Sequence, residues 1–419
     1  MSSRIRADVS LQDVYKQTAG PVLMSGIQAL VRLPMVQIRR DRAAGLNTGG
    51  FISGYRGSPL GGYDTALGRA KKYLEAHDVR VQPAINEDLA ATAIWGTQQV
   101  GLWPGASKDG VFGIWYGKGP GVDRTGDVLI HANAAGTAKH GGVLCLAGDD
   151  HGAKSSSIPH QSDHAFMSAV IPVLYPSSVH EFVRMGLLGL AMSRYSGCWV
   201  AMKVLSDTVE STAVVDLDQE QCSFIEPPNF VIPDSGLHIR WPDDRWSQDH
   251  RLQTYKAYAA IEFGSVNGVD RLIIDSQRPR FGIVASGKAF EDVREALDQL
   301  GIDRETAEAI GLSLFKVGMP WPLAPHGIRA FSEGLEEVLI IEERREILEN
   351  QIKQHLFNWR TDVRPRIVGK FDEHDVPFLP LDRQLSEALV AQAIVARLLR
   401  MDIPGDIKER LKARLEWFV

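Results

Sequence analysis

Two stretches of the chain combine glycines with side chains that could bind a ligand or carry a proton. The first is GYRGSPLGG, residues 54–62, which follows a short apolar run. It is neither G-x-G-x-x-G nor a P-loop, because no Gly-Lys-Ser/Thr follows. Ser58 and Pro59 would suit the N-cap and first position of a helix, so a plain turn and a ligand loop both stay open. Its position at the carboxyl end of a predicted strand favours the ligand loop.

The second stretch is INEDLAATAIWG, residues 85–96, which carries two carboxylates at the predicted start of a helix. Asn86 is predicted to cap this helix, with Glu87 and Asp88 in its first turn, where the helix dipole favours negative charge. Capping alone explains both acids. The alternative, a buried catalytic carboxylate, stays open at this point.

A third polar stretch, AGDDHGAKSSSIPHQSDH, residues 147–164, follows the apolar run GGVLCLA. A metal site is conceivable from Asp149, Asp150, His151, His160 and His164. Their spacing matches no familiar ligand set, however, and the composition is that of a polar loop. No G-x-S-x-G nucleophile elbow is present either.

Short apolar runs that alternate with helical stretches must position these three polar stretches. In the first half, GGFISGY, GVFGIWYG, GVLCLAGDD and CWVAMKVLSD are predicted strands, bounded by Gly, Pro or Asp. Such alternation is typical of an α/β fold with a mostly parallel sheet covered on both faces. Residues 223–280 are rich in proline and charge and are predicted to connect to a second, shorter α/β unit. That unit begins at RFGIVASGKAFEDVREALDQLG.

Composition restricts the classes of partner. The 419 residues are 44% hydrophobic and 23% charged, with a formal net charge of -6, which argues against nucleic acid as the main partner. No apolar run is long enough for a membrane span, and the first residues lack a signal peptide pattern. Cys145, Cys198 and Cys222 are far apart, which predicts reduced thiols in a cytoplasmic protein and argues against a zinc or iron–sulfur site held by this chain.

Taken together and in order, these motifs resemble the N-terminal part of indolepyruvate:ferredoxin oxidoreductases, which are thiamine-diphosphate-dependent 2-oxoacid:ferredoxin oxidoreductases. SGYRGSPLGGYD is similar to the family loop G-Y-P-G-T-P, with Arg56 in place of the proline and Ser58 in place of the threonine. NEDLAATAIWG is similar to N-E-K-V-A-x-x-x-A-x-G. GDDHGAKSSSIPHQSD resembles an expanded D-D-P-x-x-x-S-S-Q-N-E-Q-D. VASGKAFEDVREAL and GLEEVLIIEERREILENQI resemble the family's transketolase-C-like domain.

The resemblance implies a domain plan. Residues 1–240 would form the pyrimidine-binding domain with its parallel sheet, and residues 241–279 a linker. Residues 280–359 would form the transketolase-C-like α/β domain. Residues 360–419 would lead into a diphosphate-binding domain that this sequence lacks, since no G-D-G followed at a distance by Asn is present.

The resemblance also implies roles for individual residues. Glu87 matches the family glutamate that hydrogen-bonds the aminopyrimidine ring of the cofactor and is the predicted catalytic residue. Predicted cofactor-binding residues are Gly57, Ser58, Pro59, Lys118, Gly119 and Gly121. Arg56 and Ser58 are predicted to bind the substrate, with the Arg56 guanidinium pairing the oxoacid carboxylate. No residue of this chain is assigned to a metal.

The implied activity is oxidative decarboxylation of a 2-oxoacid such as indolepyruvate to an acyl-CoA, with ferredoxin accepting the electrons. Thiamine diphosphate with Mg²⁺ would be held jointly with a diphosphate-binding domain or subunit in an oligomer. A [4Fe–4S] cluster would lie in the rest of the enzyme or in a partner. Two alternatives stay open, namely a non-catalytic scaffolding subunit and a non-oxidative thiamine-dependent decarboxylase.

Overall fold

The structure is a computed structural model that describes residues 9–416. Its first part runs from residue 9 to residue 221 and ends with a 3₁₀ helix, Leu217–Gln221. The helices and strands before it are α1 (Asp13–Lys16), β1 (Pro21–Ser25), α2 (Gly26–Ala43), β2 (Thr48–Gly54), α3 (Gly61–Arg69), α4 (Lys71–Ala76), β3 (Val79–Val81), α5 (Glu87–Thr97), β4 (Gly110–Lys118), α6 (Gly119–Arg124), α7 (Gly126–Ala135), β5 (Val143–Asp149), α8 (Asp163–Ser168), β6 (Val173–Leu174), α9 (Val179–Ser196), β7 (Val200–Leu205), α10 (Ser206–Val209) and β8 (Thr212–Asp216).

The second part runs from residue 245 to residue 415 and includes a π-helical turn, Leu252–Lys256. Its other elements are α11 (Arg245–Arg251), α12 (Ala257–Val266), β9 (Arg271–Ile274), β10 (Phe281–Ser286), α13 (Gly287–Gln299), α14 (Arg304–Ile310), β11 (Leu312–Val317), α15 (Pro325–Ser332), β12 (Glu337–Ile341), α16 (Leu348–Phe357), β13 (Arg366–Val368), α17 (Glu387–Leu398) and α18 (Gly405–Leu415).

The first sheet is entirely parallel, in the order β3-β2-β4-β5-β7-β6. Successive side chains point to opposite faces, so Leu144 and Leu146 enter one apolar core while Val143 and Cys145 enter another. Both faces are therefore covered, and β5 and β7 are buried along their whole length. The predicted α/β fold with a parallel sheet is confirmed, and four of its strands lie in the runs that predicted them.

The second sheet has the order β13-β12-β10-β11-β9, with β9 as an antiparallel edge strand beside otherwise parallel strands. Ile283 and Ala285 face one core and Val284 faces another, so this sheet is also covered on both sides. It meets the first sheet at the edge strand β6. There the Val173 amide donates to the Trp321 carbonyl at 2.7 Å, and the Tyr175 amide donates to the Gly318 carbonyl at 2.9 Å.

Two segments are more structured than their composition indicates. Within 241–279, predicted as a linker, α12 packs against α9, and the Lys256 ammonium donates to the carbonyl of Ala134 at the end of α7. Within 360–419, α17 packs against α13 and places Val390 and Ile394 in the core beneath the second sheet. The proposed domain boundaries stay predictions, and the tail shares a core with residues 281–314.

The chain order around the first sheet creates a topological switch point between β2 and β4, because the chain leaves β2 toward β3 and returns to β4 on the other side. In open parallel sheets, ligands bind at the carboxyl ends of the strands beside such a point. The loop that begins at Tyr55 leaves the sheet there, and α6 follows directly on Lys118, the last residue of β4. Among residues 9–416, no helix has the length and apolar content needed to cross a bilayer.

Candidate functional site at the carboxyl edge of the first sheet

Glu87 lies at the start of α5 and is half-buried. Asn86 caps this helix, since its side-chain oxygen accepts from the Leu89 amide at 2.9 Å, which confirms the predicted cap. The indole of Trp115, on β4, donates to the Glu87 carbonyl at 3.1 Å. The first turn of α5 is thus fixed by its own cap and by the strand beside the switch point.

Two glycines make room for the Glu87 side chain. A Cβ on Gly121 would lie 2.6 Å from both Cγ and Oε1 of Glu87, and a Cβ on Gly117 would lie 3.3 Å from Glu87 Cγ. A Cβ at 2.6 Å from these atoms would force Glu87 or the backbone to shift. Glycine at position 121 therefore lets the first turn of α6 pack against the Glu87 carboxylate in its present position.

The loop after β2 lies against the end of β4. A Cβ on Gly57 would be 2.9 Å from Lys118 Cδ, so the lysine stem passes directly over Gly57. Pro59 is buried against the end of β5, where a Cβ on Gly148 would be 3.0 Å from Pro59 Cδ. Three strand ends therefore converge on one region beside Glu87.

The expectation that Ser58 and Pro59 begin a helix is wrong. The helix after this loop begins at Gly61 with Leu60 at its N-cap position, and residues 58–60 form a turn. Pro59 and Leu60 of this turn pack against Gly148 on β5, and α3 has no side-chain cap.

Arg56 and Ser58, the predicted substrate-binding residues, lie in this same loop. Arg56 is exposed and Ser58 is half-buried. Lys118, which is half-buried, occupies the N-cap position of α6 with an extended backbone. All of the predicted site residues thus lie in the loop after β2, at the end of β4, in the first turn of α6 or at the start of α5.

Sequence reasoning missed an ion-pair network next to this site. His160 Nε2 lies 2.7 Å from an Asp123 carboxylate oxygen, and His160 Nδ1 lies 3.3 Å from an Asp149 carboxylate oxygen. Asp149 is fully buried and also accepts from the Ser162 amide at 2.9 Å and from the Ser162 hydroxyl at 2.6 Å. The paired acids and histidines were visible in the sequence, but only the fold brings Asp123 to His160.

Each carboxylate of this network has a cationic partner, either His160 or Lys203. Burial alone would raise the pKa of Asp149, but its hydrogen bond with His160 and the charge of Lys203 lower it to about 2. The Lys203 ammonium lies 2.7 Å from an Asp163 carboxylate oxygen and 3.8 Å from Asp149. Burial also lowers the pKa of His160, but its hydrogen bonds with Asp149 and Asp123 outweigh that effect, so its pKa is raised.

Backbone hydrogen bonds to Asp150 shape the start of the polar loop. The Asp150 carboxylate accepts from the backbone amides of Lys154, Ser155 and Ser156 at 2.8–3.0 Å, which closes a tight turn. Among residues 9–416, no group of three or more His, Cys, Asp or Glu side chains is arranged to hold a metal ion.

The chain is similar to proteins of known family, and one of these matches covers its second part. Residues 270–418 match the family described as the indolepyruvate ferredoxin oxidoreductase middle domain. The indolepyruvate oxidoreductase subunit IorA of Pyrococcus abyssi is 26% identical over 283 residues, which cover 64% of this chain and 39% of that protein. The IorA subunit of Methanothermobacter thermautotrophicus is 23% identical over 367 residues, which cover 87% and 53%. The chain spans about half the length of these relatives.

Two solved structures share the fold. The 2-oxoglutarate:ferredoxin oxidoreductase of Magnetococcus marinus, solved with 2-oxoglutarate, coenzyme A and succinyl-CoA, superimposes with a TM-score of 0.62 at 15% identity and covers 91% of this chain and 66% of its own. A split-gene transketolase, described as an inactive beta4 tetramer, gives 0.51 at 12% identity and covers 90% and 98%. Residues 270–418 thus match the indolepyruvate ferredoxin oxidoreductase middle domain, and the chain is similar to IorA subunits over as much as 87% of its length.

Proposed function

We propose, from this family relationship and the geometry beside β2 and β4, that the chain supplies the pyrimidine-binding half of a thiamine-diphosphate site. The enzyme to which it contributes oxidatively decarboxylates a 2-oxoacid such as indolepyruvate to an acyl-CoA, and ferredoxin accepts the electrons. The observation that carries the proposal is the Glu87 carboxylate, placed at the switch point against a glycine that no other residue could replace without displacing it.

The residues present fit the pyrimidine ring of the cofactor. An aminopyrimidine offers a ring nitrogen that a protonated or shared carboxyl group can hydrogen-bond, and Glu87 is a half-buried carboxyl group on a fixed helix turn. Because Gly57, Gly119 and Gly121 have no side chains, the Lys118 stem, the His160 ring and the Glu87 carboxylate pack directly against their backbone. When bound, thiamine diphosphate supplies the carbanion chemistry that decarboxylation of a 2-oxoacid requires.

The residues around the proposed cofactor site then have different roles. Glu87 holds or releases a proton at the ring nitrogen. Ser58, Pro59 and Lys118 border the region where the loop after β2 meets the end of β4. Arg56 offers an exposed guanidinium that can pair the oxoacid carboxylate with two parallel hydrogen bonds.

The other half of the site lies outside these residues. A diphosphate-binding domain or subunit supplies the groups for the diphosphate and Mg²⁺, and an oligomer brings the two halves together. A [4Fe–4S] cluster in the rest of the enzyme or a partner carries electrons to ferredoxin, in the cytoplasm. The length of the IorA relatives, about twice the matched span, supports a missing half.

Substituting Glu87→Gln in the assembled enzyme tests the proposal. We expect a loss of at least about 100-fold in 2-oxoacid-dependent reduction of a dye or ferredoxin, because proton transfer by a positioned side chain contributes roughly 10²–10⁴-fold. Assembly and unfolding temperature should stay near those of the unchanged enzyme.

The matched control is Asp88→Asn, which changes the next carboxylate of the same helix turn. Asp88 pairs with the exposed Arg124 at 3.2 Å, so its loss should leave turnover within about twofold. Near-normal turnover of the Glu87→Gln enzyme would remove Glu87 from the reaction. Turnover without CoA or an electron acceptor would point to a non-oxidative decarboxylase, and an assembled enzyme with no turnover in any form would point to a scaffolding subunit.

A further inference from the structure

The His160 ring contacts the same turn that packs on Glu87. A Cβ on Gly119 would overlap Nδ1 and Cγ of His160, so the imidazole lies directly against the backbone of that residue. Two residues later, Gly121 packs against the Glu87 carboxylate with equally little room. The turn at the start of α6 is therefore clamped between His160 on one side and Glu87 on the other.

The ring itself is held from both ends. Its Nε2 faces Asp123, which is on α6, and its Nδ1 faces Asp149, which ends β5. Only 11% of the His160 side chain is exposed. Because one clamp residue belongs to α6 and the other to the sheet, the ring ties α6 to the sheet.

The charges around the ring come from several elements. Besides Asp123 and Asp149, the nearby groups are Lys203 on β7, Asp163 on α8 and His151 in the loop after β5. Lys203 pairs mainly with Asp163, at 2.7 Å, which leaves Asp149 as the inner partner of His160. The outer partner, Asp123, is 61% exposed.

We propose that His160 is a positioning residue: its doubly paired imidazolium sets the place of the Gly119–Gly121 turn, and through it the fit of Glu87 to the aminopyrimidine ring. The inference rests on the proposed function but adds a residue that the family resemblance does not supply. Loss of the ring would leave Gly119 without its contact and let α6 move relative to β5, so Glu87 would lose its fixed surroundings.

The protonated ring is the form that pairs both carboxylates. A histidine whose pKa is raised in the folded protein contributes its pairing fully below its ordinary pKa of about 6.5, and this contribution is lost as the pH rises through the raised value. Affinity for the cofactor should therefore weaken as the pH rises through the raised pKa of His160, and the weakening should depend on that residue.

The test is the binding of thiamine diphosphate with Mg²⁺ by the cofactor-free native protein between pH 6 and pH 9. Quenching of tryptophan fluorescence gives the readout, because Trp115 contacts Glu87. We expect His160→Gln to weaken binding by about tenfold or more at pH 6.5, since a misplacement of about 1 Å can cost about a hundredfold. The variant should also lose the pH dependence of binding that the unchanged protein shows.

The matched control is His131→Gln. His131 pairs with Asp127 on the exposed face of α7 at 3.6 Å, and its side chain is 66% exposed. This variant should bind like the unchanged protein at every pH. If His160→Gln does not fold, Asp123→Asn serves instead. It removes the outer carboxylate only and should move the pH of weakened binding downward.

The outcomes separate the two claims. Unaltered affinity and pH dependence in both His160→Gln and Asp123→Asn, with Glu87→Gln inactive, would overturn the role of His160 and leave the proposed function standing. An unchanged protein that binds no thiamine diphosphate at any pH would overturn the proposed function and the role of His160 with it.

Discussion

At the scale of single residues, the site depends on its glycines as much as on its functional side chains. Gly57, Gly119 and Gly121 each lie where a Cβ would meet a functional or supporting side chain, namely Lys118, His160 and Glu87. These glycines have no positive φ, so close approach and not backbone conformation is what requires them. A methyl group is therefore the smallest change that can disturb the site.

Substituting Gly121→Ala should lower turnover of the assembled enzyme by about 100-fold, because the new methyl group would displace the Glu87 carboxylate or the turn by about 1 Å. Steady-state rates with the 2-oxoacid in excess measure the loss. Gly126→Ala is the control, because Gly126 lies one turn further along, at the start of α7, with no atom within 4 Å of an added Cβ. Equal rates in the two variants would contradict the role given to Gly121.

At the scale of elements, α5 is the part that carries the catalytic candidate. Its Asn86 cap has the extended backbone and side-chain hydrogen bond of a good N-cap, and its apolar face is buried through Ala90, Ala91 and Ile94. On the strand side, the Trp115 indole holds the first carbonyl of the helix. A defect in the cap should therefore affect both stability and the position of Glu87.

Replacing Asn86 by alanine should lower the free energy of unfolding by about 1 kcal/mol, because the Leu89 amide loses its partner. Urea unfolding measures this change. Asn86→Asp keeps an accepting oxygen at the same position and should retain most of the stability. If the alanine variant is as stable as the aspartate variant, the cap contributes nothing and Glu87 must be held by Trp115 alone.

At the scale of the whole molecule, two sheets of mainly parallel strands meet at β6, and ion pairs connect the two parts of the chain. The Glu181 carboxylate, on α9, lies 2.6 Å from both the Lys316 ammonium on β11 and the Arg271 guanidinium on β9. The C-terminal helices belong to the second sheet, because Val390 and Ile394 are fully buried in its core. Helices α17 and α18 thus contribute to the stability of this unit.

Truncating Ile394 to alanine should cost about 2–5 kcal/mol of unfolding free energy, because it opens a cavity in the core formed by β10, α13 and α17. Phe357→Ala removes a larger apolar side chain that is 72% exposed and should change stability by less than about 0.5 kcal/mol. Hydrogen exchange of the β10 amides reports the effect locally. Equal protection in both variants would show that α17 is dispensable for the second sheet.

Much of the fold follows from the sequence alone. Apolar runs bounded by glycine or aspartate mark β2, β4, β5 and β7, since a strand covered on both faces needs apolar side chains along its length. The cap at Asn86 is equally local, because a side chain and an amide three residues away decide it. Sequence reasoning failed on the Ser58–Pro59 turn, where packing on Gly148 replaces the expected cap.

The sequence by itself therefore determined the main strands of the first sheet, the cap of α5 and the glycine-rich loops at strand ends. Only the tertiary structure decided which loops meet. Strand order brings the ends of β2, β4 and β5 together, and no local signal encodes that order. The pairing of His160 with Asp123 and Asp149, 37 and 11 residues away, depends on it in the same way. Long-range contacts need the whole core to form, whereas turns, caps and strands need only their neighbours along the chain.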